Sequence, residues 1–208
     1  MTLLIIRHGE TPLNVARVLQ PADTPLSVNG QAQAEALAQR LRSFGLAGIV
    51  SSDLPRALMT AQAIGRTTGL TLQLSALLHE RNFGDLRGLP YDGLGFDPLS
   101  AESAPPGGES QAQFSARCQA AWAWIMDRQA QVGGPLAVVS HGLVIREWLQ
   151  RGPLVLAPDQ DLPMRLANTS LTQASAAAPH LVTLLDDTAH LTAEAGGPGQ
   201  DRQSLSGG

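Results

Sequence analysis

Apolar residues along the chain fall into two spacings. Leu3 to Ile6 is an unbroken aliphatic run that stops at Arg7-His8-Gly9, and Leu136 to Val139 stops in the same way at Ser140-His141-Gly142. A third run, Ala47 to Val50, stops at Ser51-Ser52-Asp53. Short continuous runs of this kind predict strands buried on both faces of a parallel sheet. Between them lie helical patterns over Gln31 to Phe44, Pro55 to Thr68 and Gln111 to Gln131, each followed by a glycine stop at Gly45, Gly69 and Gly133-Gly134. In the last of these, Phe114, Cys118, Ala121, Trp122 and Ile125 recur at helical spacing and define a core face. Strands alternating with helices predict an α/β fold with a mainly parallel sheet.

Two stretches show neither spacing. Leu89 to Gly108 is rich in proline and glycine and predicts a long loop, of the kind that often serves as a lid in compact domains. The final stretch, 194–208, is rich in Gly, Ser and Gln and too polar to bury, so a flexible tail is expected after a single domain over 1–193.

Composition narrows the function classes. With 14 basic and 18 acidic side chains the net charge is -4, so bulk charge gives no support to nucleic-acid binding and any anion must be caught locally. One cysteine, Cys118, forms no intramolecular disulfide and no thiolate metal cluster, which fits a reducing cytoplasm. The N-terminal apolar run is too short for a signal peptide, and no stretch approaches the roughly 20 residues needed to span a bilayer. A cytoplasmic protein with no membrane partner is expected. His79, His180 and His190 lack a second ligand at metal spacing, so no metal and no cofactor are expected.

The candidate chemistry lies at the strand ends. Ligands of open α/β sheets bind in the crevice beyond the carboxyl ends of the strands, where His8 and His141 fall. Arg7 precedes His8, and Arg56 sits in the first turn of the helix that opens near Pro55, where free N–H groups and the helix dipole favour an anion. Two arginines suit a phosphoryl group, because guanidinium forks match its oxygens and stay charged. A neutral imidazole can attack phosphorus, and the departing alkoxide then needs a proton, for which Glu80 is the candidate donor. A loop carboxylate can equally be solvated or paired with Arg81. Asn14 can equally cap a turn.

Taken together, Arg7-His8-Gly9-Glu10-Thr11, Ser51 to Ala57 with Thr60-Ala61, the Leu78 to Gly88 segment, Pro106-Gly107-Gly108-Glu109-Ser110 and Val138 to Gly142 resemble the histidine phosphatase superfamily, also called phosphoglycerate mutase-like. Asn168-Thr169-Ser170 and Thr188 to Leu191 extend the resemblance to about residues 1 to 191. It implies a three-layer α/β/α sandwich with a mainly parallel central sheet, and His8 as a nucleophile that becomes phosphorylated. It further implies Glu80 as proton donor, Arg7, Arg56, His141, Asn14 and Gly142 as phosphate or substrate contacts, and no metal requirement. The chain departs from the family pattern twice: Leu19-Gln20-Pro21-Ala22-Asp23 is one residue shorter and lacks its glycine, and Arg87 stands where an acidic residue is common.

Three readings of function remain open. A hydrolase passes the phosphoryl group to water, a mutase returns it to another hydroxyl, and a phosphate-binding protein does neither. Family mutases carry a larger insertion between the acid and the second histidine, so its absence here favours hydrolysis of a small phosphorylated metabolite. Specificity is expected from Pro21 to Pro25 and from Leu89 to Gly108. Tyr91 and Phe96 offer apolar surface there, and Arg81 or Arg87 offers a charge for a second anionic group.

Overall fold

The computed structural model describes residues 1–192, so the tail expected at 194–208 lies outside the described residues. In chain order the elements are β1 (Thr2–Arg7), α1 (Pro12–Val15), α2 (Val28–Leu41), β2 (Gly48–Ser51), α3 (Pro55–Thr68) and β3 (Leu72–Leu74). They continue with α4 (Gln111–Val132), β4 (Leu136–Ser140), α5 (Gly142–Gln150), β5 (Leu154–Val155), β6 (Leu171–Ser175), β7 (His180–Asp187) and α6 (Ala189–Thr192). The strands form one seven-stranded sheet in the order β3-β2-β4-β1-β6-β7-β5. Pairs β2–β3, β2–β4, β1–β4 and β5–β7 are parallel, whereas β6 runs antiparallel to β1 and β7. The sheet is therefore mixed and mainly parallel.

The continuous aliphatic runs have the expected consequence. Along β1, Leu3 and Ile5 enter a core with Val138 of β4, Phe114, Trp122 and Ile125 of α4 and Val144 and Trp148 of α5. Leu4 and Ile6 enter a second core with Val139 of β4, Leu37 and Leu41 of α2 and Ala61 and Ile64 of α3. All four β1 side chains are fully buried. Each contributes about 1.5–3 kcal/mol of hydrophobic stabilisation relative to exposure, so the strand is held from both sides. Cys118 packs in the first core, and the Trp148 indole N–H above it donates to the Cys118 carbonyl at 3.0 Å.

The predicted helices form, with corrected ends. The Ser27 hydroxyl accepts from Gly30 N, so α2 starts three residues before the apolar pattern, and its last turn tightens into a 3₁₀ turn over Arg42–Phe44 before Gly45. Ser110 and Gln113 form a reciprocal capping box at the start of α4. Elements after His141 escape the apolar pattern. α5 follows β4 with only His141 between them, and β6 and β7 pair through register shifts around Gln173 that break the alternation.

The Leu89 to Gly108 loop is irregular apart from a 3₁₀ turn at Tyr91–Gly93, but it is anchored at several points. Leu19 N donates to Leu89 O at 2.9 Å and Tyr91 N to Arg17 O at 3.0 Å. The guanidinium of Arg81 donates to the carbonyls of Leu99, Ala101 and Glu109 and to Gln111 Oε1. Among the described residues no helix is long and apolar enough to cross a membrane.

Candidate active site

Register brings the two histidines together. Strands β1 and β4 are parallel neighbours, with Arg7 opposite Ser140, so His8 and His141 each lie one residue beyond a matched pair. Their ring centroids are 5.1 Å apart. Ser51 of β2 is opposite Val139, which carries Ser52 to the same edge, where its Oγ lies 2.9 Å from His141 Nε2. Arg56 follows from β2 through the turn that starts α3. The crevice beyond the carboxyl ends of β1, β4 and β2 is thus lined by residues that the sheet itself places.

The hydrogen bonds assign the state of each ring. His8 Nδ1 lies 2.7 Å from Gly9 O, and a carbonyl only accepts, so Nδ1 carries the proton and Nε2 keeps a free lone pair. Burial, and then the charges of Arg56 and Arg7, hold the His8 pKa well below 6.5, so the ring is neutral at neutral pH. Ser52 Oγ accepts from Leu54 N at 3.3 Å, and among the described residues its own proton has no acceptor other than His141 Nε2. His141 therefore carries its proton on Nδ1, and Nδ1 is buried without a partner among the described residues.

Two further orphaned donors face the same place. The Nε atoms of Arg7 and Arg56 are buried with no hydrogen-bond partner among the described residues. Arg7 Nη1 donates to Leu166 O, and Arg56 Nη1 donates to Pro21 O at 3.2 Å, which fixes both side chains from behind. The shortened 19–23 loop thus meets the site through backbone carbonyls. Both guanidiniums act electrostatically on His8, His141 and Glu80. A Cβ on Gly142 would sit in ordinary contact with the Arg7 guanidinium, 3.4 Å from its Nε, so the start of α5 lies directly against Arg7.

Glu80 is placed differently, in a loop, with its carboxyl group held by backbone N–H groups. Its Oε1 accepts from Arg81 N at 3.0 Å and its Oε2 from Leu143 N in the first turn of α5 at 3.1 Å. Burial raises its pKa above the usual 4.5, against those two N–H groups and the charges of Arg56 and Arg7. The half-buried Glu80 is not paired with the Arg81 guanidinium, whose donors go to backbone carbonyls and to Gln111. Arg81 is thus unavailable to a second anionic group, a correction to the expectation that it could meet one. Arg87 keeps a buried Nε without a partner among the described residues, and its charge acts on Arg56.

Asn14 does cap: its Oδ1 accepts from Thr11 N at 3.1 Å and its backbone N donates to the Thr11 hydroxyl. The same Oδ1 accepts from Asn168 Nδ2 at 3.3 Å, and Asn168 Nδ2 also donates to His8 O at 3.1 Å, so Asn14 stands beside the site. Residues with no role assigned from the sequence complete the frame. Thr169 N donates to His8 O at 3.2 Å from a left-handed backbone with φ 54, a conformation costing about 1–3 kcal/mol in a β-branched residue. His190 Nε2 donates to the Thr169 hydroxyl at 3.1 Å, and Arg40 bonds both His190 and Asp187. The Asn168-Thr169-Ser170 and His190 motifs and the block that contains Ser52 are visible as resemblance, but the sequence assigns no role to Ser52 itself. Among the described residues no group of three or more His, Cys, Asp and Glu side chains is arranged to hold a metal ion.

The arrangement therefore offers a neutral imidazole with an exposed lone pair, three orphaned cationic or N–H donors and a carboxyl group biased toward its protonated form. That set can take up a phosphoryl group and protonate a leaving oxygen. Known proteins resemble the chain over most of its length. The chain is 32% identical to the probable phosphoglycerate mutase GpmB of Yersinia enterocolitica, over 92% of this chain and 95% of that one. Among solved structures, a mycobacterial glucosyl-3-phosphoglycerate phosphatase complexed with VO3 is 34% identical with a TM-score of 0.69, covering 84% of this chain and 90% of that one. YhfR of Bacillus stearothermophilus is 30% identical with a TM-score of 0.77, covering 91% and 98%. The family model that matches is the Histidine phosphatase superfamily (branch 1), over residues 3–185, and the chain belongs to that family.

Proposed function

We propose that the protein is a metal-independent phosphomonoester hydrolase that works through a phosphohistidine on His8. The observation that carries this reading is the convergence of unpartnered buried donors, Arg7 Nε, Arg56 Nε and His141 Nδ1, around a neutral histidine. Buried donors left orphaned cost free energy, and a phosphoryl group supplies the missing acceptors.

In this reading His8 Nε2 attacks phosphorus and the ester P–O bond breaks. The Glu80 proton passes to the departing oxygen, which leaves as an alcohol. Water then attacks phosphorus and gives a proton to the Glu80 carboxylate. The P–N bond breaks, inorganic phosphate departs and His8 returns neutral. Arg7, Arg56 and His141, with Asn14 Nδ2 and the N–H of Gly142 at the start of α5, hold the phosphoryl oxygens. General acid catalysis of this kind is worth roughly 10²–10⁴-fold. The substrate is a small phosphorylated metabolite, and the glucosyl-3-phosphoglycerate phosphatase relatives fit that class.

The likeness to probable phosphoglycerate mutases favours a second reading, transfer between two hydroxyls of one metabolite. Incubation with 3-phosphoglycerate separates the two: release of inorganic phosphate supports hydrolysis, whereas isomer without phosphate release supports the mutase. Rapid quenching during p-nitrophenyl phosphate turnover in EDTA tests the chemistry itself. Acid-labile phosphate on His8 is expected, and label on another residue, or none, overturns the proposal.

A further inference from the structure

The backbone that carries Glu80 is bonded by a guanidinium outside the cluster around His8. Arg117 lies on α4, and its five N–H donors are all used. Nε donates to Glu109 Oε1 at 2.7 Å, and Nη2 donates to Glu109 Oε2 at 2.8 Å, which makes a bidentate ion pair. Nη1 donates to Leu77 O at 2.9 Å and to His79 O at 2.7 Å, and Nη2 donates to Glu80 O at 3.3 Å. Three carbonyls of the segment that carries Glu80 therefore converge on one planar cation.

Glu109 closes the frame on the other side of Glu80. Its Oε2 accepts from Asn82 N at 2.8 Å, and its own N–H donates to Asn82 O at 2.8 Å. The segment follows a 3₁₀ turn at Ala76–Leu78 and makes no ladder pairing; from the sheet only the Ser140 hydroxyl reaches it, donating to Leu78 O at 2.9 Å, and the carbonyls on either side are left to Arg117. Without the clamp, the carbonyls of Leu77, His79 and Glu80 lose donors in a half-buried site, and only the N–H groups of Arg81 and Leu143 are left to hold the carboxyl group as the backbone beneath it shifts. A shift of about 1 Å in a reacting group costs on the order of 10²-fold in rate.

We propose that Arg117, locked to Glu109, is a positioning residue that aims the Glu80 carboxyl group at the leaving oxygen. The proposal rests on the reading of Glu80 as proton donor. It is specific to that step, because Arg117 makes no hydrogen bond to His8, Arg7 or Arg56.

A series of aryl phosphates of graded leaving ability, from p-nitrophenyl phosphate to phenyl phosphate, reads the proton transfer directly. Wild-type kcat/KM should vary little across the series, since the donor compensates for poor leaving groups. Glu80→Gln should make the dependence steep. Arg117→Lys keeps the charge but not the fork, and Arg117→Lys and Glu109→Gln should each steepen the dependence toward that of Glu80→Gln. The loss should be about 10-fold or more with phenyl phosphate and much smaller with p-nitrophenyl phosphate, within the range of general acid catalysis. The double variant Glu80→Gln/Arg117→Lys should be no steeper than Glu80→Gln alone, because the effect passes through one group. A purely structural Arg117 would depress all substrates alike, and that equal loss overturns the proposal. If Glu80→Gln itself leaves the dependence flat, the assignment of Glu80 fails and the positioning role falls with it. If Glu80→Gln is steep and the Arg117 and Glu109 variants stay flat, only the positioning role is lost.

Discussion

The site has two halves that are built by different means. His8, His141, Ser52 and Arg56 stand at the ends of strands or at the first turn of the following helix, and inter-strand register sets their separation. Glu80 stands in a loop whose shape is set by side chains from α4 and the 105–110 turn. The first half inherits the rigidity of a sheet buried on both faces, whereas the second rests on a few arginine and glutamate hydrogen bonds and on the N–H groups of Arg81 and Leu143. The rigid half holds His8, the proposed nucleophile, and the other half holds Glu80, the proposed proton donor.

The comparison can be broken most severely at His8. His8→Ala should lower turnover by about 10⁴-fold or more and abolish phosphoenzyme formation in a quench experiment, while the thermal melt stays cooperative. Ile5→Ala strikes the sheet that carries the same half. It should destabilise the fold by about 2–5 kcal/mol in urea titration and leave the turnover of the remaining folded molecules nearly intact. Arg81→Ala strikes the other half. By orphaning carbonyls of the long loop it should cost about 1–3 kcal/mol and open 97–109 to limited proteolysis, with His8 still labelled by p-nitrophenyl phosphate. Ser52→Ala removes the group that sets the His141 tautomer and should lower kcat/KM by about fivefold, equivalent to about 1 kcal/mol.

The smallest expected effect is on pH dependence, and it separates the halves by sign. His8 and His141 have folded pKa values well below 6.5, and that of His190 is lowered to about 4. Below pH 6.5 the unfolded chain therefore binds protons that the folded chain refuses, and stability falls as pH falls toward 4. Glu80 acts in the opposite sense: its raised pKa favours the folded state while it is protonated, and that contribution is lost as pH rises through the folded value. In kcat/KM against pH, the acid limb should report neutralisation of His8 and the alkaline limb loss of the Glu80 proton. Glu80→Gln should remove the alkaline limb alone, and its persistence would contradict the assignment.

The same division explains what the sequence makes legible. Aliphatic runs that stop at His8, Ser52 and His141 announce strand ends, because a strand buried on both faces has no polar position until it leaves the sheet. Helix stops at Gly45, Gly69 and Gly133 are equally plain, all three adopting positive φ. The fixation of Glu80 is not legible, since Arg117 lies 37 residues further along the chain and bonds to backbone atoms that carry no sequence signature. Arg81 misleads for the same reason: a guanidinium that spends its donors on carbonyls is indistinguishable in sequence from one that awaits a ligand. β6 and β7 are hidden by their register shifts, and β7 by the left-handed Asp186.

The burial of Cys118 has a consequence for how the protein meets reactive chemistry. Its side chain is buried in the same core as Trp148, and burial pushes its pKa up to about 12, so almost no thiolate exists at neutral pH. Peroxide and alkylating agents silence phosphatases that attack with sulfur, but here the single sulfhydryl is neither ionised nor within reach. Activity should persist through oxidative conditions that would switch such enzymes off.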